Sequence, residues 1–402
     1  MRLSREKLLE YLILYGLTPT LFLVKSYQVV TFLIVALFCY DIIRRKDWSV
    51  FNDTIFKIFS FWCLYLLISA FWAVEPRFAV SGAFELFVWC LLYLAIRSTI
   101  TTKEQIEKFF MFQAYMVLFV TFNSVMQAVV GINMFGVHID SSRVTDLVTE
   151  RRTIGHILPI YLGLFGAMLA IPSKNVKQYL LFACALIGLL VTLPLTGTRG
   201  PLIILAIFLP VIAWLSPYRK IAFTSLGGLL VVVAMIVLNN PVLQQRVMSL
   251  KNPFEDQKHA RISIWLSAFE QFKDNPIKGV GFHNFRYREF EYYDASFESY
   301  EIVPEKGMIV THPHSPWMDI LSEQGLIGLA FAISFLFVVV RTVYSMGSIV
   351  MIGSMGVWYA FSLLNSTLTL SSGRWSFFMI LAVTFFGVIV NYVKVLSRKE
   401  EP

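Results

Sequence analysis

The run Thr311-His312-Pro313-His314-Ser315-Pro316-Trp317 places two imidazoles, a hydroxyl and an indole at the edge of a long apolar stretch. Serine is a favoured N-cap and proline a favoured first helical residue, so the run predicts a helix beginning at Pro316 with Ser315 as its cap. His314 then stands just before the positive end of a helix dipole. That field disfavours imidazolium, keeps the ring basic and attracts anions. One reading is a general base beside an oxyanion site; the other is an ordinary histidine in an interfacial loop. A metal site built on His312 and His314 lacks a third ligand at a useful spacing, and no metal is expected. Asp319 and Glu323 are one turn apart on a single face of the same helix. They can support His314, bind an acceptor group or pair with an arginine, or they can simply be interfacial.

Two arginines suit an anionic partner. Arg199 lies in the short turn Thr196-Gly197-Thr198-Arg199-Gly200-Pro201 between two apolar runs, and Arg261 precedes Trp265 by one helical turn. A guanidinium fork grips phosphate oxygens bidentately. The same residues can also serve as a snorkelling anchor and a solvated loop arginine. Arg151-Arg152 with His156 forms a further, weaker phosphate-site candidate. Ser362, Asn365, Ser366 and Thr369 lead to Arg374 and read as a hydrogen-bonded helix–helix seam, while Gly325 and Gly328 read as close-packing positions. His138, His259 and His283 have no evident partner.

The elements that carry these residues are membrane helices. Of 402 residues, 57% are hydrophobic and 15% charged, against about 45–50% and about 25% in soluble globular chains. The apolar residues come in runs, and a spanning helix needs roughly 17–25 of them. Candidate spans are 8–24, 28–43, 55–73, 82–97, 109–130, 155–171, 178–195, 200–216, 220–238, 316–340, 347–370 and 376–395. Backbone groups in lipid must be satisfied within a helix or a closed barrel, and nothing alternates with barrel periodicity. The expected fold is therefore all-α and polytopic, with about twelve transmembrane helices.

The net charge of +8 is confined to short segments such as Arg44-Arg45-Lys46, Lys174 to Lys177 and Arg219-Lys220. This is the positive-inside pattern, not a nucleic-acid-binding one, and it puts both termini in the cytoplasm. Arg2, Arg5 and Lys7 precede an apolar run that lacks a small-residue cleavage site before Lys25, so an uncleaved first span is expected. Cys39, Cys63, Cys90 and Cys184 all fall within apolar runs, where no disulfide is expected.

Three sections follow: a membrane section over 1–238, a large periplasmic loop over 239–315, and a last membrane section with a cytoplasmic tail over 316–402. The loop carries its own helical signal, with Trp265, Ala268, Phe269 and Phe272 on one apolar face and a break at Pro276, Gly279 and Gly281.

These motifs together resemble the O-antigen ligase and polymerase superfamily. His314-Ser315 followed by Gly325-Leu326-Ile327-Gly328 looks like the O-antigen ligase signature. The run Ser322-Glu323-Gln324-Gly325-Leu326-Ile327-Gly328-Leu329 is similar to the segment that follows the histidine across that superfamily. Thr198-Arg199-Gly200 looks like its Thr-Arg-Gly turn, and Arg261, Trp265, Ala268, Pro276, Gly279 and Gly281 resemble its loop pattern. The resemblance covers roughly 190–330.

The resemblance implies a GT-C-like glycosyltransferase of the bacterial inner membrane with a periplasmic active site. It would move a glycan from an undecaprenyl-diphosphate-linked donor to a lipid A–core acceptor, with inversion and without cofactor, nucleotide or metal. Arg199 and Arg261 would hold the diphosphate, and His314 would be the general base. Asp319, Glu323, Arg152 and His312 are supporting candidates. The family often has an Arg and an Asn before the sixth span, where this chain reads Arg151-Arg152-Thr153-Ile154-Gly155-His156. O-antigen polymerases and protein O-oligosaccharyltransferases share the arginines and the base. The latter usually continue into a longer C-terminal region, whereas this chain stops at Pro402, which favours the ligase. A lipid-linked glycan transporter or flippase would place its key charges near the bilayer midplane between repeats; here they gather at one face and no repeat is visible.

Overall fold

The computed structural model describes residues 5–22, 26–139, 143–149, 153–172, 175–238, 244, 260–288, 312–363, 365 and 367–398. All regular elements among them are helical. They are α1 (Arg5–Tyr11), α2 (Leu17–Leu21), α3 (Ser26–Arg45), α4 (Thr54–Ile68), α5 (Pro76–Thr99), α6 (Lys103–Val130), α7 (Ile154–Ile157), α8 (Ile160–Ala170) and α9 (Val176–Thr196). They continue as α10 (Arg199–Leu215), α11 (Arg219–Leu238), α12 (Ala260–Asp274), α13 (Phe285–Arg288), α14 (Pro316–Met346), α15 (Ser348–Gly353), α16 (Met355–Ala360) and α17 (Gly373–Ser397).

Local sequence explains many of the boundaries. Asp53 caps α4, a Thr102–Gln105 capping box starts α6, and Asn175 caps α9. Gly131 (φ 86°) and Gly197 (φ 67°) end α6 and α9 in the left-handed conformation that glycine adopts freely.

Among the described residues, seven helical segments are long and apolar enough to cross a membrane: Ser26–Arg45, Thr54–Phe71, Pro76–Thr99, Lys103–Val130, Val176–Thr196, Pro316–Met346 and Gly373–Ser397. This is a multi-pass membrane protein. The described residues of the expected spans are mostly helical, but the sixth is divided between α7 and α8, and two others depart further. The first is interrupted by a π-helical turn over Leu12–Gly16 between α1 and α2. The eleventh ends at Ala360, and the described residues of 361–372 are irregular rather than helical. The seam expected along Ser362, Asn365 and Thr369 is therefore not a helix face, and Ser366 lies outside the described residues. Asn365 instead folds the chain back on itself, donating to the carbonyls of Ala360 (2.8 Å) and Leu368 (3.2 Å).

α17 is the hub. It packs against α5, α8, α15 and α16, and it is buried on nearly every side from Ser376 to Val390. A helix that is apolar all round belongs in such a position. Phe61, Phe71, Phe84, Phe122, Phe337 and Tyr344 point outward, as expected of a surface solvated by lipid.

α14 is broken at Gly325 (φ 62°, ψ −157°). A continuous helix would bond Leu326 N–H to Ser322 O and Ile327 N–H to Glu323 O. Instead the turn 276–281 enters the gap. Leu326 N–H donates to Pro276 O (2.8 Å) and Ile327 N–H to Ile277 O (3.2 Å). Val280 N–H donates to Ser322 O (2.9 Å) and Gly281 N–H to Glu323 O (3.0 Å). Two helix bonds are thus exchanged for four loop–helix bonds, which pair each of the four groups those two would have used. Gly325 was expected to serve helix packing; it serves this insertion instead.

The approach is close enough to demand glycine. A Cβ on Gly279 would lie 2.3 Å from Gln324 N, and one on Gly325 would lie 2.6 Å from Ile277 O. α4 braces the junction: Trp62 Nε1 donates to Gln324 Oε1 (2.7 Å), and the Tyr65 hydroxyl reaches the carbonyls of Gln324 (2.7 Å) and Lys278 (2.9 Å).

Gly279→Ala should therefore displace the inserted turn and sharply lower the thermal midpoint of the detergent-purified protein. Gly131→Ala, at a positive φ but with nothing within 4 Å of the new Cβ, should cost only about 1–2 kcal/mol of backbone strain. Equal midpoints for the two variants would contradict the insertion.

Candidate active site

Ser315 caps α14, its side chain accepting from Met318 N–H (3.5 Å), and Pro316 is the first helical residue. His314 stands one residue before the cap, as the sequence indicates, with a left-handed backbone (φ 53°) that is uncommon outside glycine. Its ring centroid is 4.4 Å from that of His312. Trp265 Nε1 donates to Pro313 O (3.0 Å), so α12 is fastened to the carbonyl beside His314.

α12 lies along the start of α14, with Ile264 and Ala268 packed against Phe285 and Met318. Its buried face is Ile264, Ser267, Ala268 and Gln271. The expected face through Trp265, Phe269 and Phe272 is rotated from this: Phe269 is 42% exposed, and the indole of Trp265 serves as a hydrogen-bond donor. Arg261 is in the first turn of α12, one turn before Trp265; its side chain lies outside the described residues.

Asp319 and Glu323 are fully buried, and each ties another segment to α14. Asp319 Oδ2 accepts from the hydroxyls of Thr369 and Ser371 and from Ser371 N–H (3.4 Å). Glu323 accepts from His283 N–H (2.9 Å) and Phe285 N–H (3.0 Å), holding the entry to α13. The ring of His283 packs over α5, where a Cβ on Gly82 would meet Nε2 at 2.8 Å. Both acids thus act as clasps in this geometry.

Burial, then the neighbouring His314 and His283, push the His312 imidazole down to about 3. Burial, then Arg286, pushes His283 down to about 4. Both rings are therefore held neutral at neutral pH, and such depressed values make them weak proton acceptors.

The Arg199 turn is built separately. Gly197 N–H closes α9 onto Pro194 O (3.0 Å), Thr198 is the N-cap of α10, and Arg199 is its first residue. The hydroxyls of Thr196 and Thr198 are 2.8 Å apart. α7 sits directly on them, since a Cβ on Gly155 would lie 2.4 and 2.5 Å from those two oxygens. Asp146 caps α7 by accepting from Thr153 N–H (2.9 Å), Ile154 N–H (3.0 Å) and the Thr153 hydroxyl. Arg374 Nη2 donates to the same carboxylate at 3.4 Å. The side chain of Arg199, and Arg151 and Arg152 altogether, lie outside the described residues.

The irregular segment 361–372 joins the two halves. Thr369 and Ser371 hold Asp319 below His314, while the Thr367 hydroxyl is 3.1 Å from His156 Nδ1, one residue past Gly155. The His314 helix and the Arg199 turn are therefore linked through named contacts.

Residues 184–333 match the family model described as O-antigen ligase. That segment belongs to the O-antigen ligase family. No curated protein matches the chain. The ligase-family match spans Arg199, Arg261, His312, His314, Asp319 and Glu323, together with the glycines at the α14 break. It identifies a glycan-transferring class of enzyme. Asp146, His156, Thr367, Thr369, Ser371 and Arg374 lie outside the match. Of these, the sequence offered a hint only at His156, Thr369 and Arg374, and it did not pair them correctly.

The depressed His312 and His283 values carry a pH signature. Below about 6.5 an unfolded chain takes up protons that these folded imidazoles refuse, so stability is greatest above that pH and falls as acid is added. The thermal midpoint should drop between pH 7.5 and 5, and His312→Gln should flatten the slope. An unchanged slope would exclude His312 as a source.

Proposed function

We propose that the chain is an O-antigen ligase that transfers a polysaccharide from undecaprenyl diphosphate to lipid A–core oligosaccharide. His314 takes the proton of the acceptor hydroxyl as its oxygen attacks the anomeric carbon. The bond from that carbon to the diphosphate oxygen breaks on the opposite face, which inverts the anomeric centre. Arg199 and Arg261 stabilise the charge gathering on the departing undecaprenyl diphosphate. No metal or nucleotide takes part. The protein lies in the bacterial inner membrane with about twelve spans and cytoplasmic termini. The segment 239–315 is its periplasmic loop, and the active site faces the periplasm.

The observation that carries this reading is the Trp265–Pro313 hydrogen bond (3.0 Å), which brings the helix of Arg261 to the residue preceding His314. The N-terminus of α10 supports it by setting Arg199 at the positive end of a helix dipole. A transporter reading has less support, because the polar groups gather at one end of the helices.

Purified protein supplied with an undecaprenyl-diphosphate-linked O-antigen and lipid A–core, in chelator and without nucleotide, should yield a higher-mass conjugate. His314→Ala should slow its formation about 10²–10⁴-fold, and Arg199→Ala should do so comparably. Trp265→Phe, which keeps an aromatic side chain but removes the donor, should lower the rate with little change in thermal midpoint. Longer lipid-linked chains without conjugate would reassign the protein as a polymerase, and no product of either kind would sink the transferase reading.

A further inference from the structure

Arg374 sits in the first turn of α17, the most enclosed helix of the bundle, with only 19% of its side chain exposed. A guanidinium is costly there unless its donors and its charge are used. It has five N–H donors. Among the described residues its hydrogen-bond acceptor is Asp146 Oδ2, at a long 3.4 Å. That carboxylate is already committed to Thr153 and to the start of α7. Nε of Arg374 is buried without a hydrogen-bond partner among the described residues. A second carboxylate, Glu85, lies beside Gly373 and accepts from Gln28 Nε2 (3.3 Å). Ser372 occupies the N-cap of α17 without a side-chain bond to the helix, so the positive end of that dipole adds to the guanidinium.

The location is as informative as the donor surplus. Asp146, the partner of Arg374, caps α7, and α7 rests on the Thr196–Thr198 turn that leads into Arg199. The next residue, Trp375, has its ring 6.2 Å from that of His156, and Ser371 holds Asp319 below His314. Arg374 is thus joined to both halves of the proposed site. It lies outside the ligase-family match.

We infer that Arg374 is a further substrate-binding residue of this site, whose unspent donors receive a phosphate of a lipid-linked substrate. The proposal rests on the transferase reading for its location. The favoured ligand is the prenyl diphosphate, because Arg374 adjoins the Arg199 turn; a phosphorylated lipid A acceptor presents the same chemistry from the other substrate. Asp146 acts as a positioning residue that orients the guanidinium while capping α7.

The test is direct binding to the full-length, detergent-purified chain, without turnover. Farnesyl diphosphate, farnesyl monophosphate and farnesol are the donor-side probes; lipid A with and without its phosphates probes the acceptor side. Wild type should prefer the diphosphate to farnesol. Arg374→Gln should weaken diphosphate binding by about tenfold or more and leave farnesol binding unchanged. A structural role alone would not produce that charge-selective loss. Arg374→Lys, which keeps the charge but not the fork, should bind the diphosphate several-fold less tightly and decides the matter if the glutamine variant does not fold.

A loss confined to phosphorylated lipid A would support the phosphate chemistry and assign it to the acceptor. Unchanged affinity for both phosphate probes in a folded variant, or no wild-type preference for diphosphate over farnesol, would overturn the proposal. Charge-selective binding by a protein that forms no conjugate would leave this proposal standing and remove the ligase reading, so the two fail separately.

Discussion

The site depends on an exchange of backbone hydrogen bonds. Where α14 breaks at Gly325, Leu326 and Ile327 stop donating within the helix and donate to Pro276 and Ile277, while Val280 and Gly281 donate to the carbonyls left behind. In a bilayer a broken helix is tolerated only when its freed groups find partners in protein or water. The inserted turn supplies them, and it therefore cannot shift without exposing the break. Because α12 runs directly into this turn, the position of Arg261 and Trp265 along α14 is set by the same bonds.

The two buried acids extend this logic. Glu323, just before the break, collects the amides of His283 and Phe285, so the chain leaving the turn is held as firmly as the turn itself. Asp319, one helical turn earlier, collects Thr369 and Ser371 and so attaches the irregular segment 361–372. Asp319 accepts three hydrogen bonds on Oδ2 and Glu323 accepts two, and these bonds offset part of the cost of burying a carboxylate. α14 is consequently a spine with His314 before its first turn and three separate segments fastened along it.

Much of this was open to sequence reading, and the exceptions share a physical cause. Ser315 and Pro316 announce the helix start because capping is local chemistry, and that places His314 correctly. The apolar runs locate the helices because membrane solvation acts on composition. Gly279, Gly281 and Gly325 were visible as a pattern, but only the fold shows that the turn carrying the first two enters the helix break at the third. The eleventh span failed at Ala360 because Ser362, Asn365 and Thr369 find better partners in turns and in Asp319 than along a helix face. The face of α12 was misassigned because an indole was read as apolar bulk when its N–H is used. Asp146 and Arg374 are far apart in the chain, and no local pattern pairs them.

The central position of α17 bears on how the molecule is made. Ribosomes deliver helices in chain order, and α17 is the last of those described here. The helix around which α5, α8 and α16 close therefore reaches the membrane after its neighbours. Until it arrives, lipid must fill the space it will occupy, and the earlier helices can form only a loosened bundle. Arg374 enters with it, so the polar layer is completed in the same event that completes the core. Assembly of the bundle and assembly of the site thus finish together, when α17 inserts.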